Sequence, residues 1–321
     1  MKSDFKCIFE PILHTDKWTR EVVAEIRIKD TEKTIKSHLY PSPQKYKEVW
    51  QILIQQHLDT GHIHSSSSLC ASPAFIVPKF DLNVLPNWVN DFCQLNENII
   101  TDGHPLPQID NILNDCAKAK IWGTIDMINS FFQTRMDPDH IHLTVVNTPL
   151  GLYEWLVMPM GLKNAPAIHQ WWVTAVLHPL IGKICHIYLD DIVIWSNSID
   201  EHEQNVHTVL QALCKMCLYV NPEKTHLFCT EIDFLAHHIS SWGIEADTKK
   251  VEHNLSWPLP KTTTNVHSFL GLVHYISTFL PTLAEHTGIL TELTTKEADK
   301  CFPTWTVWYQ TAFDSIKRCW T

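Results

Sequence analysis

The chain has 321 residues, 45% hydrophobic and 19% charged, a balance that supports an ample core in one large or two or three smaller domains. No apolar run reaches the ~18–20 residues that cross a bilayer, and the start, MKSDFKCIFEPILHTDKW, lacks the apolar stretch of a secretory signal. We therefore expect an intracellular protein, in a cytoplasmic particle or the nucleus, with no membrane association and with its ten cysteines as thiols. A formal net charge of −10 argues against a uniformly basic nucleic-acid binder.

Arginine is scarce, at four positions (Arg20, Arg27, Arg135 and Arg318), beside 20 histidines, 13 tryptophans and ten cysteines. His, Trp, Cys and Gln are what single C→T or G→A transitions make of CG-starting arginine codons. Either the gene has drifted under such mutation, or an anionic partner is bound only locally.

In chain order, residues 1–40 carry no clear motif. Pro41, Pro43 and the spacing of Val49, Ile52, Leu53 and Leu58 predict a helix over 46–58, with Gly61 as its C-terminal cap. His64–Ser68 reads as a polar linker, ASPAFIVPK (71–79) as a strand ending in Lys79, and 81–90 as turn-rich. A helix is predicted over 104–118, with Leu106, Ile109, Ile112, Leu113 and Cys116 on one face. Residues 121–125 then form a short strand that ends at Asp126, with a turn from Asn129 through Phe131 and Phe132. An aspartate after a strand also serves as a helix cap.

Strands are predicted at 143–146 and 153–157, then a Pro/Gly-bounded loop, MPMGLKNAP (158–166), and a helix over 167–177. The stretch KICHIYLDDIVIWS (183–196) places two β-branched, aromatic runs around Asp190 and Asp191, which reads as a hairpin with the acidic pair at its tip. Asp-Asp is a poor tip, since both central residues of the favoured turns need positive φ. A solvated acidic turn and a functional site are both open for this stretch alone. Ser198 with Glu201 predicts a capping box for a helix through Val206, Val209, Leu210 and Leu213. A strand pair is expected over 228–239, helices over 249–255 and 265–279, and an aromatic-rich segment over 302–318.

If the strands are neighbours, Asp126, Asp190 and Asp191 converge. Three carboxylates raise one another's pKa unless cations neutralise them. Two Mg²⁺ ions (or Mn²⁺) held there would suit in-line phosphoryl displacement, that is, nucleotidyl transfer. Cys214, Cys217, His226 and Cys229 have the wrong spacing for a zinc knuckle or finger.

The motifs SPAFIVPK (72–79), HPLPQID (104–110), IDMINSFFQ (125–133), GLYEWLVMPMGLKNAPAIHQ (151–170), IYLDDIVIWS (187–196), FLAHHISSWGI (234–244) and WPLPKTTTNVHSFLGLVHYISTFLP (257–281) resemble, in order and spacing, the reverse transcriptases of gypsy-type long-terminal-repeat retrotransposons. The resemblance implies an α+β right-hand polymerase with an antiparallel palm sheet backed by helices. It divides the chain into an N-terminal segment (1–40), fingers with the start of the palm (41–118), palm with catalytic hairpin and primer grip (119–245), thumb-like helices (246–285) and the truncated start of a connection or RNase H-like region (286–321). It further implies RNA- and DNA-directed DNA polymerase activity with dNTP as substrate and an RNA/DNA primer–template as partner. By the same resemblance Asp126, Asp190, Asp191 and the Met127 carbonyl hold metal, with Tyr188 and Leu189 completing the box. Lys79, Phe131 and Met160 meet the dNTP, Phe131 as the ring that excludes a 2′-hydroxyl. Phe234, Leu235, Ala236 and His237 form the primer grip. Asn87 and Cys93 stand where the family usually has arginine, Trp171 and Trp172 where it often does, and Ala236 where it has glycine.

Overall fold

The computed structural model describes residues 2–10, 14–15, 18, 22–33, 40–68, 70–81, 84–246, 248–275 and 283–318, and its contacts separate two units, Met1–Cys229 and Thr230–Thr321. The first unit runs α1 (Lys6–Phe9), β1 (Val23–Ala24), α2 (Lys47–Asp59), β2 (Ile63–Ser65), β3 (Ser72–Val77), β4 (Asn87–Asn90), α3 (Cys93–Asn98), α4 (Ile109–Cys116) and β5 (Ile121–Asp126). It continues through β6 (Arg135–Met136), β7 (Val146–Thr148), β8 (Gly151–Trp155), α5 (Ala165–Leu177), β9 (Cys185–Tyr188), β10 (Asp191–Ser196), α6 (Ile199–Lys215) and β11 (His226–Cys229).

A four-stranded antiparallel sheet, ordered β11-β5-β10-β9, is the frame of this unit. Its central strand β10 has Ile192, Val193 and Ile194 fully buried, which explains an unbroken apolar run where a half-exposed strand would alternate. Ile192 and Ile194 join Ile125 and Ile187 in a core with Val173 and Leu177 of α5 and Val206, Val209, Leu210 and Leu213 of α6. Helices therefore back one face of the sheet. α5 starts with Pro166 in its first turn, where a missing N–H costs nothing. α6 is capped by Ser198, whose Oγ accepts from the Glu201 N–H at 3.3 Å, while Glu201 Oε2 accepts from the Asn197 N–H at 3.0 Å. The expected capping box thus forms with its reciprocal bond one residue upstream. Gly123 lies on β5 where a Cβ would come within 2.9 Å of the Leu227 carbonyl oxygen of β11.

A second sheet, ordered β2-β8-β7-β3-β4, packs with α2 and α3 around Trp50, Trp155, Phe92, Phe132 and Met158. Several sequence expectations shift here. The polar linker 64–68 contributes β2, an edge strand paired with β8 whose His64 Nε2 meets Glu154 Oε1 at 2.7 Å. The turn-rich 81–90 contains β4, paired along 74–77 of β3. Leu143 and Thr144 lie in a 3₁₀ helix, and the strands at 143–146 and 153–157 become β7 and β8, closed by Pro149-Leu150. The helix expected from 104 starts only at Ile109, because Pro105 and Pro107 disfavour helical geometry in the residues before them.

The second unit carries β12 (Glu231–Phe234), β13 (His237–Ser240) and β14 (Gly243–Ala246), an antiparallel three-stranded sheet, then α7 (Thr248–Leu255), α8 (Thr263–Tyr275), α9 (Leu283–Thr291), α10 (Lys296–Lys300) and α11 (Val307–Arg318). The strand pair expected at 228–239 divides: Phe228 belongs to β11, and the hairpin begins at Glu231. Val266, Phe269 and Val273 of α8 pack with Leu290 of α9 and with Phe313 and Ile316 of α11. Residues 276–279 of the expected 265–279 helix lie outside the described residues.

Candidate active site

Strand register brings the carboxylates together. Asp191 of β10 pairs directly with Asp126 of β5 on one side and with Tyr188 of β9 on the other. Residues two apart share a face. Asp126 and Asp191 therefore lie opposite to Ile125 and Ile192, on the face away from α5 and α6, as cross-strand neighbours with Cβ atoms ~5 Å apart. The turn of this hairpin is Leu189-Asp190, not Asp190-Asp191. Leu189 is the turn residue with positive φ, at 54°. The acidic pair escapes the conflict that a two-aspartate tip poses, since Asp191 is already extended as the first residue of β10. The Met127 N–H donates to the Asp190 carbonyl at 3.0 Å, which ties the turn to the end of β5.

Gln170 of α5 holds the turn from beneath. It is fully buried, its Oε1 accepts from the Leu189 N–H at 2.7 Å, and its Nε2 donates to the Ile187 carbonyl at 3.3 Å and to Thr174 Oγ1 at 3.0 Å. Sequence reading gave Gln170 no role. The available signal was an amide inside an otherwise apolar helix, which has to find partners when buried. Gln133 does the same beside Asp126: its Nε2 donates to the carbonyls of Ile128 (2.6 Å) and Tyr219 (2.9 Å), and its Oε1 accepts from the Tyr219 N–H at 2.8 Å.

Lys224 was also missed. Two residues upstream of the His226–Thr124 pair on an antiparallel strand, it falls opposite Asp126, and its Nζ lies 3.2 Å from Asp126 Oδ2. Its segment is held by Asn221, whose N–H donates to the Asp126 carbonyl at 2.8 Å, and by Lys2, whose Nζ donates to the carbonyls of Pro222 and Thr225, each at 2.8 Å. Burial pushes the Asp191 carboxyl up to about 6, helped by the negative charges of Asp190 and Asp126 and opposed by Lys224. The three carboxylates therefore share one electrostatic site.

Among the described residues, no group of three His, Cys, Asp or Glu side chains forms a ready cage for an ion. The donor chemistry nonetheless fits Mg²⁺: hard carboxylate oxygens beside concentrated negative charge. Mg²⁺ is commonly held by one or two carboxylates together with substrate phosphates and water rather than by an all-protein cage.

The other expected residues lie at varied positions. Asn129 has φ 43° and opens a 3₁₀ turn that separates two neighbouring rings. Phe132 is buried and stacks on Trp155 at 5.2 Å, whereas Phe131 is only half-buried and meets His169 edge-on at 5.6 Å. Burial pushes the His169 imidazole down to about 4, so it is neutral. Lys79 is exposed just past the end of β3, and Met160 is 46% exposed in the loop before α5. That loop is pinned by Asn96, whose Nδ2 donates to the Gly161 carbonyl and whose Oδ1 accepts from the Lys163 N–H, each at 2.8 Å. Asn87 is exposed on β4. In the second unit, Phe234 and His237 are buried and paired across the β12–β13 turn, with Leu235 (φ 48°) and Ala236 (φ 60°) at its tip. The position where the resemblance expects glycine is thus a left-handed one.

The family described as reverse transcriptase (RNA-dependent DNA polymerase) matches residues 83–239. The chain is 37% identical over 297 residues, 91% of its length, to the retrovirus-related Pol polyprotein from transposon opus of Drosophila melanogaster. It is 33% identical over 276 residues, 85% of its length, to that from transposon gypsy of the same species. This chain belongs to the reverse transcriptases of long-terminal-repeat retrotransposons. It spans 29% of the opus polyprotein and 27% of the gypsy one. Its reverse transcriptase fold superposes on the foamy viral protease-reverse transcriptase, solved in complex with double-stranded DNA, with a TM-score of 0.86 at 21% identity, covering 99% of this chain and 55% of that one. The form of that protein in complex with an RNA/DNA hybrid gives 0.84, covering 99% and 42%. Among the described residues, no helix is long and apolar enough to cross a membrane.

Proposed function

We propose that the chain is the polymerase portion of a longer polyprotein and that it adds dNTPs to a primer 3′-hydroxyl on RNA or DNA templates. The observation that carries this reading is the direct pairing of Asp126 with Asp191 on the sheet face away from α5 and α6, with Asp190 in the adjoining turn. When bound, two Mg²⁺ ions would lower the pKa of the primer hydroxyl and neutralise charge developing on the triphosphate. Asp126, Asp190 and Asp191 would hold them, with the Met127 carbonyl nearby. Gln170 keeps the hairpin turn fixed, and so supplies the positioning on which in-line transfer depends.

The half-buried Phe131 ring is the one we assign to exclusion of a 2′-hydroxyl, in contrast to Phe132 in the core. Lys79 supplies an ammonium to the triphosphate, Met160 lines the nucleotide pocket, and the Phe234–His237 turn grips the primer. In this reading 41–118 act as fingers, 119–245 as palm and 246–285 as thumb, and the enzyme works inside the cell, where dNTPs are made.

The test is Mg²⁺-dependent dNTP incorporation on a primed RNA template, beside an Asp190→Asn, Asp191→Asn double variant. The parent extends the primer and the variant does not. If neither extends while both bind primer–template, the polymerase reading fails, and a nucleic-acid-binding remnant without chemistry takes its place.

A further inference from the structure

The sulfurs of Cys7 and Cys214 lie 2.6 Å apart, although 206 residues separate them in the chain. That is about half an ångström beyond the ~2.05 Å of a disulfide bond. We propose that Cys7 and Cys214 are a redox-modification site that peroxide converts to a reversible disulfide, fastening the N-terminal segment to α6.

The approach is built into the packing around it. Phe5 and Ile8, on either side of Cys7, are buried in the same core as Val209, Leu210 and Leu213 of α6. The Phe5 ring meets the His207 ring edge-on at 5.0 Å, and the Val220 N–H donates to the Ile8 carbonyl at 2.9 Å. The backbone on both sides of each cysteine is thus fixed, and bond formation needs little movement. Access is also suitable, since Cys7 is exposed and Cys214 half-buried. Burial and the hydrogen bond with Cys7 push the Cys214 thiol up to about 11, which keeps it protonated at neutral pH. Cys7, the exposed sulfur, is the one that meets the oxidant, and the half-buried Cys214 beside it is the one that resolves it.

In the first step the Cys7 thiolate attacks one peroxide oxygen. The O–O bond breaks, hydroxide leaves, and Cys7 becomes a sulfenic acid. In the second, the Cys214 sulfur attacks the sulfenyl sulfur, an S–S bond forms, and the oxygen leaves as water with the Cys214 proton. Two thiols and one hydrogen peroxide give one disulfide and two waters. A thiol reductant reverses the bond by exchange. The link would fix the segment whose Lys2 supports the 222–225 turn beside Asp126.

The experiment exposes the full chain to stoichiometric hydrogen peroxide, blocks free thiols and maps peptides by mass. A Cys7–Cys214 linked peptide should appear, vanish on reduction, persist in Cys217→Ser and be absent in Cys7→Ser. The oxidised parent should melt roughly 5 °C above its reduced form. Cys7→Ser should melt with the reduced parent, which separates a lost bond from a lost fold. A Cys214–Cys217 linked peptide in place of the long-range one overturns the proposal. So does recovery of both Cys7 and Cys214 as free thiols, or of Cys7 as sulfinic acid with no link.

Discussion

Two hairpins in this chain use nearly the same local device and secure it in opposite ways. Both the β9–β10 and β12–β13 turns place a leucine first, with Leu189 at φ 54° and Leu235 at φ 48°, where glycine or asparagine would sit more easily. In the first hairpin the support comes from outside, as the Gln170 amide of α5 accepts from the Leu189 N–H. In the second it comes from within, as the His237 ring hydrogen-bonds the Leu235 carbonyl at 2.8 Å. The acidic turn is thus held by a neighbouring helix, and the Asp190 side chain takes no part in that support.

Removing each support tests that contrast. The largest effect is expected for Gln170→Ala, which strips partners from a half-buried N–H and a buried carbonyl. Urea unfolding should register a loss of about 2–3 kcal/mol, and primer extension should fall on the order of 10²-fold through misplacement of the turn. His237→Phe keeps the ring volume and loses the bond to Leu235. It should cost about 1–1.5 kcal/mol, with hydrogen exchange rising in β12 and β13 and not in β9 and β10.

A third change works through charge. The folded Asp191 carboxyl titrates at about 6, above the ~3.9 of an unfolded aspartate. The folded chain thus binds that proton more tightly, and its stability falls as pH rises from about 4 to about 6. Asp191→Asn removes this slope. Discounted for solvent screening, the variant should gain about 1 kcal/mol over the parent above pH 6 and almost nothing near pH 3. Urea midpoints across that range in the presence of a chelator would check it. The smallest effect is expected for Ala236→Gly, which relieves a left-handed alanine and should add about 0.5 kcal/mol. An unchanged urea midpoint would mean that the second turn carries no strain.

Much of this arrangement was legible in the chain because the deciding elements are central and apolar. β5, β10 and α6 follow from runs such as Ile192–Ile194 and from the Val206, Val209, Leu210 and Leu213 face, all fully buried. What stayed hidden was short, polar or set by register. β2 (Ile63–Ser65) and β4 (Asn87–Asn90) contribute few apolar side chains at sheet edges, so their composition reads as turn. The one-residue shift of the acidic turn depends on which residues exchange hydrogen bonds, and side-chain type alone does not encode that. Lys224 looks like an ordinary turn lysine until β11 pairs with β5 and brings it opposite Asp126.

The close approach at Gly123 has a consequence at the level of the codon. Any transition at the first or second base of a glycine codon installs Ser, Arg, Asp or Glu, and each adds a Cβ that would sit 2.9 Å from the Leu227 carbonyl oxygen. That oxygen belongs to the backbone and not to the end of a flexible side chain, so β5 or β11 must shift to admit any of the four. The spacing of two strands in the sheet that carries Asp126 thus rests on a codon whose first two bases tolerate no transition without that shift.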